Sequence, residues 1–204
     1  MADILTADKI LDTAEGVLRR YGPAKATVLD VSRALRVSHG SVYRHFPSKT
    51  ALRDAVAQRW LARVSAPLGR IVTADGSASV RLQQLIIELS RTKRRMAADD
   101  PELFAVYHQI GTESRAIVVE HLDTLASQLA AIIASGVAAG EFAPVNAATM
   151  GRAVLQATTR FHHPAHAIGW DDPTLEADLD AVLDLLIGGL RSAGDSSSPT
   201  GENG

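Results

Sequence analysis

The chain has 204 residues, 46% of them hydrophobic, and no cysteine, so disulfides, thiolate metal sites, iron–sulfur clusters and a cysteine nucleophile are excluded together. Such a length suffices for one ordinary core or for a small module joined to a larger one. The net charge of −2 conceals an asymmetry: residues 1–65 hold eleven Lys/Arg against six Asp/Glu, a balance of +5, and the remainder holds ten against seventeen, a balance of −7. A basic head on an acidic body lets only the head approach a polyanion, because phosphate attraction is long-ranged and independent of sequence. Plainly solvated helix faces are the alternative account of the same charges. The stretch Met1 to Asp8 has no basic leader, and no apolar run reaches the about eighteen residues of a membrane span, so the expectation is a soluble, cytoplasmic protein with no membrane partner.

In chain order the sequence reads as helices throughout. After Thr6, Ile10, Leu11, Ala14, Val17, Leu18 and Tyr21 recur at three- and four-residue steps until Gly22-Pro23 stops them. Thr27 with Asp30 three residues on is a short-acid capping box that opens a brief helix through Leu35. Ser38 caps a third short helix through His45, and Pro47-Ser48 resets the chain for a long fourth helix from Lys49 to about Val64. Two two-turn helices separated by about four residues are helix-turn-helix geometry. Pro67, Gly69 and residues 73–77 mark the boundary of the head. Beyond it come a helix from Val80 to near Ala98, one opened by Asp100-Pro101, a long one over 112–137 closed by Gly140, one capped by Asn146 and ending before Pro164, and a last one opened by Asp172-Pro173. The expectation is an all-α fold of about nine helices. Residues 1–65 form the head, 66–193 the body, and 194–204 a tail too polar to order itself.

The third helix carries the chemistry. Val42 and Phe46 are its buried positions, and between and around them lie Ser38, His39, Gly40, Ser41, Tyr43, Arg44 and His45. Small residues at a helix start let a backbone approach a groove closely, and hydroxyl, imidazole and guanidinium groups supply donors for base edges and phosphates.

Thr27 to Lys49, above all Val37-Ser38-His39-Gly40-Ser41-Val42-Tyr43-Arg44-His45-Phe46-Pro47-Ser48-Lys49-Thr50-Ala51-Leu52, closely resembles the DNA-binding signature of the tetracycline-repressor (TetR) family of bacterial transcription regulators. The resemblance implies a homodimer whose third helices enter successive major grooves of a palindromic double-stranded operator. It also implies a body that binds a small effector and pairs through its last two long helices. Carried over residue by residue, His39, Gly40 and Ser41 meet bases, Tyr43, His45 and Lys49 hold phosphates, Thr27 touches phosphate, Ser38 caps, and Arg44 serves either edge or backbone. Two positions depart from the family pattern: the turn residue that is commonly glycine is Arg36, and Leu29 stands where many members place a polar or basic reader.

In the body, Trp60, Met96, Phe104, Tyr107, His108, Thr158, Phe161 and His162 are the candidates for lining an effector cavity, although such spacing also suits plain core. His162, His163 and His166 raise the alternative of a metal-responsive regulator. Adjacent histidines at a helix end diverge, however, so no metal or other cofactor is expected. Arg91, Lys93, Arg94 and Arg95 read as a solvated basic face near Asp99, Asp100 and Glu102. No nucleophile elbow, phosphate loop, dinucleotide fingerprint or zinc-protease motif occurs, which argues against an enzyme. An architectural DNA-binding protein would not need so large an acidic body.

Overall fold

The computed structural model describes residues 4–192, so the tail expected from residue 194 onward lies outside the described residues. The elements are α1 (Ala7–Lys25), α2 (Val28–Leu35), α3 (His39–Tyr43), α4 (Lys49–Ser65), α5 (Gly69–Val72), α6 (Ala78–Asp99), α7 (Pro101–Glu113), α8 (Arg115–Ala138), α9 (Ala147–Ala157), α10 (Thr159–His162), a 3-10 turn (Pro164–Gly169) and α11 (Leu175–Ser192). No strand occurs among the described residues. The all-α expectation holds, with extra short helices where one long helix was expected. Thr158 turns out of helical geometry and divides α9 from α10, whereas the expected division between α7 and α8 falls at Ser114 (ψ 62°).

Local chemistry explains the ends. The Thr6 hydroxyl accepts from the Lys9 N–H, and Gly22 (φ 74°, ψ 161°) breaks α1 in a conformation that suits glycine, immediately before the buried Pro23. Thr27 and Asp30 form the reciprocal capping box: the Asp30 N–H donates to Thr27 Oγ1 at 3.1 Å, and the Thr27 N–H donates to Asp30 Oδ2 at 3.0 Å. Between α2 and α3 the chain turns on Arg36, whose φ of 56° and ψ of 39° are left-handed and whose N–H donates to the Ser32 and Arg33 carbonyls. A non-glycine residue therefore takes a left-handed conformation that ordinarily falls to glycine.

The chain divides into two compact units. The first comprises residues up to Val64 together with Arg95–Leu122. Here Glu15 on α1 accepts from Arg59 Nη2 at 2.6 Å and Arg63 Nη2 at 2.9 Å on α4, and Asp12 accepts from Arg59 Nη1 at 2.8 Å. On the same helix α4, Trp60 stacks on Tyr107 of α7 with ring centroids 4.4 Å apart. Ile10, Val17, Val42, Phe46 and Val56 are buried in the head itself.

The second unit comprises Ser65–Arg94 and the described residues from Asp123 onward. Its core is apolar, with Leu82, Leu85, Ile86 and Leu89 from α6 and Leu129 and Ile132 from α8. A Cβ on Gly151 of α9 would stand 2.6 Å from the Ala126 carbonyl oxygen of α8, so the two backbones approach as closely as only glycine allows. The Glu141 carboxylate accepts from the Ala78 and Ser79 N–H groups and so satisfies the first donors of α6. Contrary to the sequence expectation, α8 is long and apolar enough to cross a bilayer by length and composition alone, and 33% of that stretch is buried within the chain.

Because Arg36 holds a left-handed conformation that a Cβ disfavours, Arg36→Gly is expected to stabilise the fold by up to about 1 kcal/mol, and Arg36→Val to destabilise it by about 1–2 kcal/mol. Urea unfolding of the three proteins checks the order; a glycine variant less stable than the parent would contradict it.

Candidate nucleic-acid interface

The head presents α3 as a displayed segment. Val42 has no exposure and Phe46 is buried, which anchors one side of α3 and turns the other outward. Around that anchor His39, Gly40, Tyr43, Arg44 and His45 are exposed, Ser41 is half-buried, and Thr27 at the start of α2 is exposed. The sequence-predicted contact residues thus lie on the stretch 38–45, at the Thr27 cap of α2 and at Lys49, the first residue of α4.

Several of these side chains are pre-positioned by one another. Ser38 Oγ accepts from the Ser41 N–H at 3.2 Å and shares a 2.7 Å hydrogen bond with Ser41 Oγ, toward which Arg44 Nη2 also reaches at 3.5 Å. The imidazole of His39 stands edge-on to the ring of Tyr43, centroids 4.7 Å apart. Tyr43 is 38% exposed beside that imidazole. A Cβ on Gly40 would meet nothing closer than Ser38 Oγ at 4.0 Å, so the absent side chain leaves an open approach to the backbone. Lys49 is half-buried, its ammonium donating to the Ala24 carbonyl at 3.2 Å with two further protons available. Leu29, 41% exposed on α2, offers an apolar surface where the family resemblance implies a polar or basic reader.

Hydrogen bonding to Thr27 holds the Asp30 carboxyl below its usual range, so the only acid of α2 is ionised and engaged in its own cap. In this form it repels a phosphate less than a free carboxylate on the same face, because part of its charge answers the N–H groups of the helix start.

The candidates for the effector cavity are distributed between the units. Trp60, Phe104 and Tyr107 form an aromatic cluster in the first, with Trp60 also edge-on to Phe104 at 6.0 Å. Met96 in that unit is half-buried and His108 is exposed. Thr158, Phe161 and His162 are buried together in the second unit, where His162 Nε2 lies 3.3 Å from Thr158 Oγ1. Burial, and after it the charge of Lys93, push the His162 imidazole down to about 4, so it is neutral at physiological pH.

The three histidines are placed as follows. His162 is buried against Thr158, His163 Nδ1 accepts from the Ala165 N–H at 3.2 Å, and His166 is exposed. No group of three or more His, Cys, Asp or Glu side chains among the described residues is placed to hold a metal ion.

The basic run also needs correction. Arg94 pairs with Glu176 at 2.9 Å and Arg91 is exposed, but Lys93 is only 4% exposed. Burial pushes its ammonium down to about 8. The signal was legible: Leu82, Ile86, Leu89 and Lys93 follow one another at three- and four-residue steps, which puts the lysine on the apolar stripe of its helix.

Residues 10–56 match the family described as bacterial regulatory proteins, tetR family, and residues 78–183 match the family described as tetracyclin repressor-like, C-terminal domain. The chain is 33% identical over 101 residues to an HTH-type transcriptional regulator of Mycobacterium tuberculosis, an alignment covering 50% of this chain and 48% of the relative. It thus spans about half the length of that relative. Among solved structures, it is similar to a protein from Rhodococcus sp. RHA1 (TM-score 0.70, 24% identity, 93% of this chain and 97% of the other). It is also similar to the transcriptional regulator FadR from Bacillus subtilis in complex with stearoyl-CoA (0.66, 18%, 90% and 99%). A third is SmeT, the repressor of the Stenotrophomonas maltophilia multidrug efflux pump SmeDEF (0.66, 18%, 90% and 89%). At such identities these structures share the fold.

Two substitutions separate positioning from reading. Lys49→Ala is expected to weaken binding to every duplex and flatten the salt dependence by about one unit, whereas Ser41→Ala acts chiefly on the preference for one sequence. Fluorescence anisotropy on specific and random duplexes over a salt series checks both, and equal effects of the two variants on both duplexes would remove the assigned roles.

Proposed function

The chain belongs to the tetracycline-repressor family of bacterial regulatory proteins, and on that premise we propose that it is a homodimeric, cytoplasmic repressor that grips a palindromic operator through its two α3 helices and releases it when a small effector occupies the C-terminal body. The observation that carries this reading is the mounting of α3. Val42 and Phe46 are buried, Arg36 fixes the turn, and His39, Gly40, Ser41, Tyr43, Arg44 and His45 are left for the duplex. Backbone contacts from Thr27, Tyr43, His45 and Lys49 set the register, and His39, Gly40 and Ser41 read base edges. The protein acts by binding and not by catalysis.

Pairing of two copies has its own support on the last two long helices. The exposed surface of α9 carries Ala148, Arg152, Ala153 and Ala157, and that of α11 carries Ala181, Asp184, Leu185, Gly188 and Gly189. Leu185 is 76% exposed in the single chain. Small residues permit close helix approach, and arginine on one helix with aspartate on the other suits an isologous contact in which α9 of each copy meets α11 of its partner.

Release would follow from a change in spacing. Successive major-groove sites demand recognition helices about 34–36 Å apart. Both α6 and α8 run unbroken from one compact unit into the other, and α4 ends where the second unit begins. An effector that shifts these helices alters the spacing without touching a DNA-contacting residue, and the coupling is reciprocal: operator must weaken effector by the same factor. The stearoyl-CoA held by FadR supports a small-molecule ligand of the body as the controlling signal.

Selection of bound fragments from random duplex DNA tests the proposal. It is expected to recover one palindrome, its half-site centres one helical turn or a multiple apart, bound about a thousandfold or more above bulk DNA. Enrichment of no sequence, or of unpaired half-sites alone, would contradict it.

A further inference from the structure

The positive charge of the head is not spread evenly over its surface. Arg59 is engaged with Asp12 and Glu15, Arg63 with Glu15, Arg19 with Asp100 and Arg53 with Glu113, so these guanidiniums answer carboxylates of their own unit. Arg20 and Arg33 are exposed and join none of these ion pairs. Both line one open groove of about 620 Å³ between α1 and α2, where α1 supplies Gly16, Arg20 and Tyr21 and α2 supplies Asp30, Arg33 and Ala34. Residues one turn apart on each helix are thereby brought to face one another.

The chemistry of the groove is that of an anion site. The Arg20 guanidinium lies 5.4 Å from the centre of the Tyr21 ring, a cation–π contact that holds the charge over an exposed aromatic face. Gly16 contributes no side chain, and a Cβ built there would meet nothing within 4 Å. Asp30 is the acid of the groove, and its Oδ2 accepts from the Thr27 N–H at 3.0 Å and from the Thr27 hydroxyl at 2.5 Å, with Arg33 within Coulomb range. Two guanidiniums against one engaged carboxylate leave a surplus of one positive charge. The same hydrogen bonds tie the groove wall to Thr27, the exposed cap assigned to phosphate, so the groove adjoins the nucleic-acid interface.

We propose that Arg20, Tyr21 and Arg33 form a second phosphate anchor of the head, which holds one backbone phosphate of the operator apart from those met by α3 and the start of α4. The inference rests on the reading of the head as a duplex-binding one and adds to it a contact centred on α1. One phosphodiester carries the single negative charge that the groove's surplus matches, a guanidinium fork donates to its oxygens, and the Tyr21 hydroxyl is a further donor. Such a contact carries no sequence information: it fixes register and raises affinity for every duplex alike. An acidic peptide would meet the same charge, but the groove exposes no aliphatic side chain larger than alanine for it to cover.

Fluorescence anisotropy of the full-length protein on its selected palindrome and on random duplex, over a salt series, tests this with the double variant Arg20→Ala, Arg33→Ala. Affinity for both duplexes is expected to fall about tenfold or more, the salt slope to flatten by about 0.9 for each head engaged, and the preference for the palindrome to be kept. Methylphosphonate scanning, which removes one phosphate charge at a time, locates the contact. At one position of each half-site the substitution is expected to weaken the parent about threefold or more, to weaken Lys49→Ala likewise, and to leave the double variant unaffected. Gly16→Glu, which sets a carboxylate into the groove from an exposed helix position, is expected to weaken binding to both duplexes, whereas Gly16→Gln, of the same size and uncharged, binds as the parent does. Methylphosphonate effects that persist at every position in the double variant would overturn the inference even if its affinity fell, because that fall would then be long-range charge alone. Equal binding by Gly16→Glu and Gly16→Gln would overturn it as well. In both cases a parent that still prefers the palindrome leaves the operator reading standing, whereas a parent that binds no duplex overturns the reading and the inference together.

Discussion

Burial of Val42 and Phe46 is the constraint on which the rest of the head depends. A helix as short as α3 has little stability of its own, since nucleation alone outweighs so few hydrogen bonds. It exists because two apolar side chains on one side of it are removed from water and because its start is held, by the Ser38 cap and by the left-handed Arg36 turn before it. Once those residues are fixed, the remaining side chains have only the outward direction available. Display of His39, Tyr43 and Arg44 is thus a by-product of packing, and the same interaction that folds the segment aims it.

The mounting is stiffened from behind. The Glu15 carboxylate is shared between Arg59 and Arg63, and Trp60, one residue along α4 from Arg59, stacks on Tyr107. Partly buried charge pairs of this kind add less through their Coulomb energy than through the geometry they impose, because removing one partner strands the others. α4 is accordingly held both by a polar network and by an aromatic stack, and the two adjoin, since the Glu15 carboxylate acts on the Tyr107 hydroxyl. Such contacts favour displacement of α4 as one piece, which the proposed transmission to α3 would require.

Much of this was legible in the sequence, for identifiable reasons. The Thr27–Asp30 capping box, the Gly22-Pro23 stop, the Asp100 and Asn146 caps and the apolar stripes of α6 and α11 rest on local chemistry that the fold does not override. The break between α7 and α8 was legible to within a few residues, but the one at Thr158 was not, since threonine is not a strong helix breaker. Lys93 was misread because a run of four basic residues in five looks solvated as a block; register on the helix, not composition, separates the buried member from Arg91 and Arg94. The rings of His163 and His166 stand 6.2 Å apart, but His162 is buried against Thr158, and the three form no metal-holding group among the described residues.

Hydrogen–deuterium exchange of the full-length protein, free and saturated with its selected duplex, tests most directly whether the displayed segment is the one that meets DNA. Slowed exchange concentrated at residues 38–45, at the start of α2 and at the start of α4, with the buried core of the second unit little changed, is the result that follows from the geometry. Protection confined to the second unit, with residues 38–45 exchanging as fast as in the free protein, would contradict it.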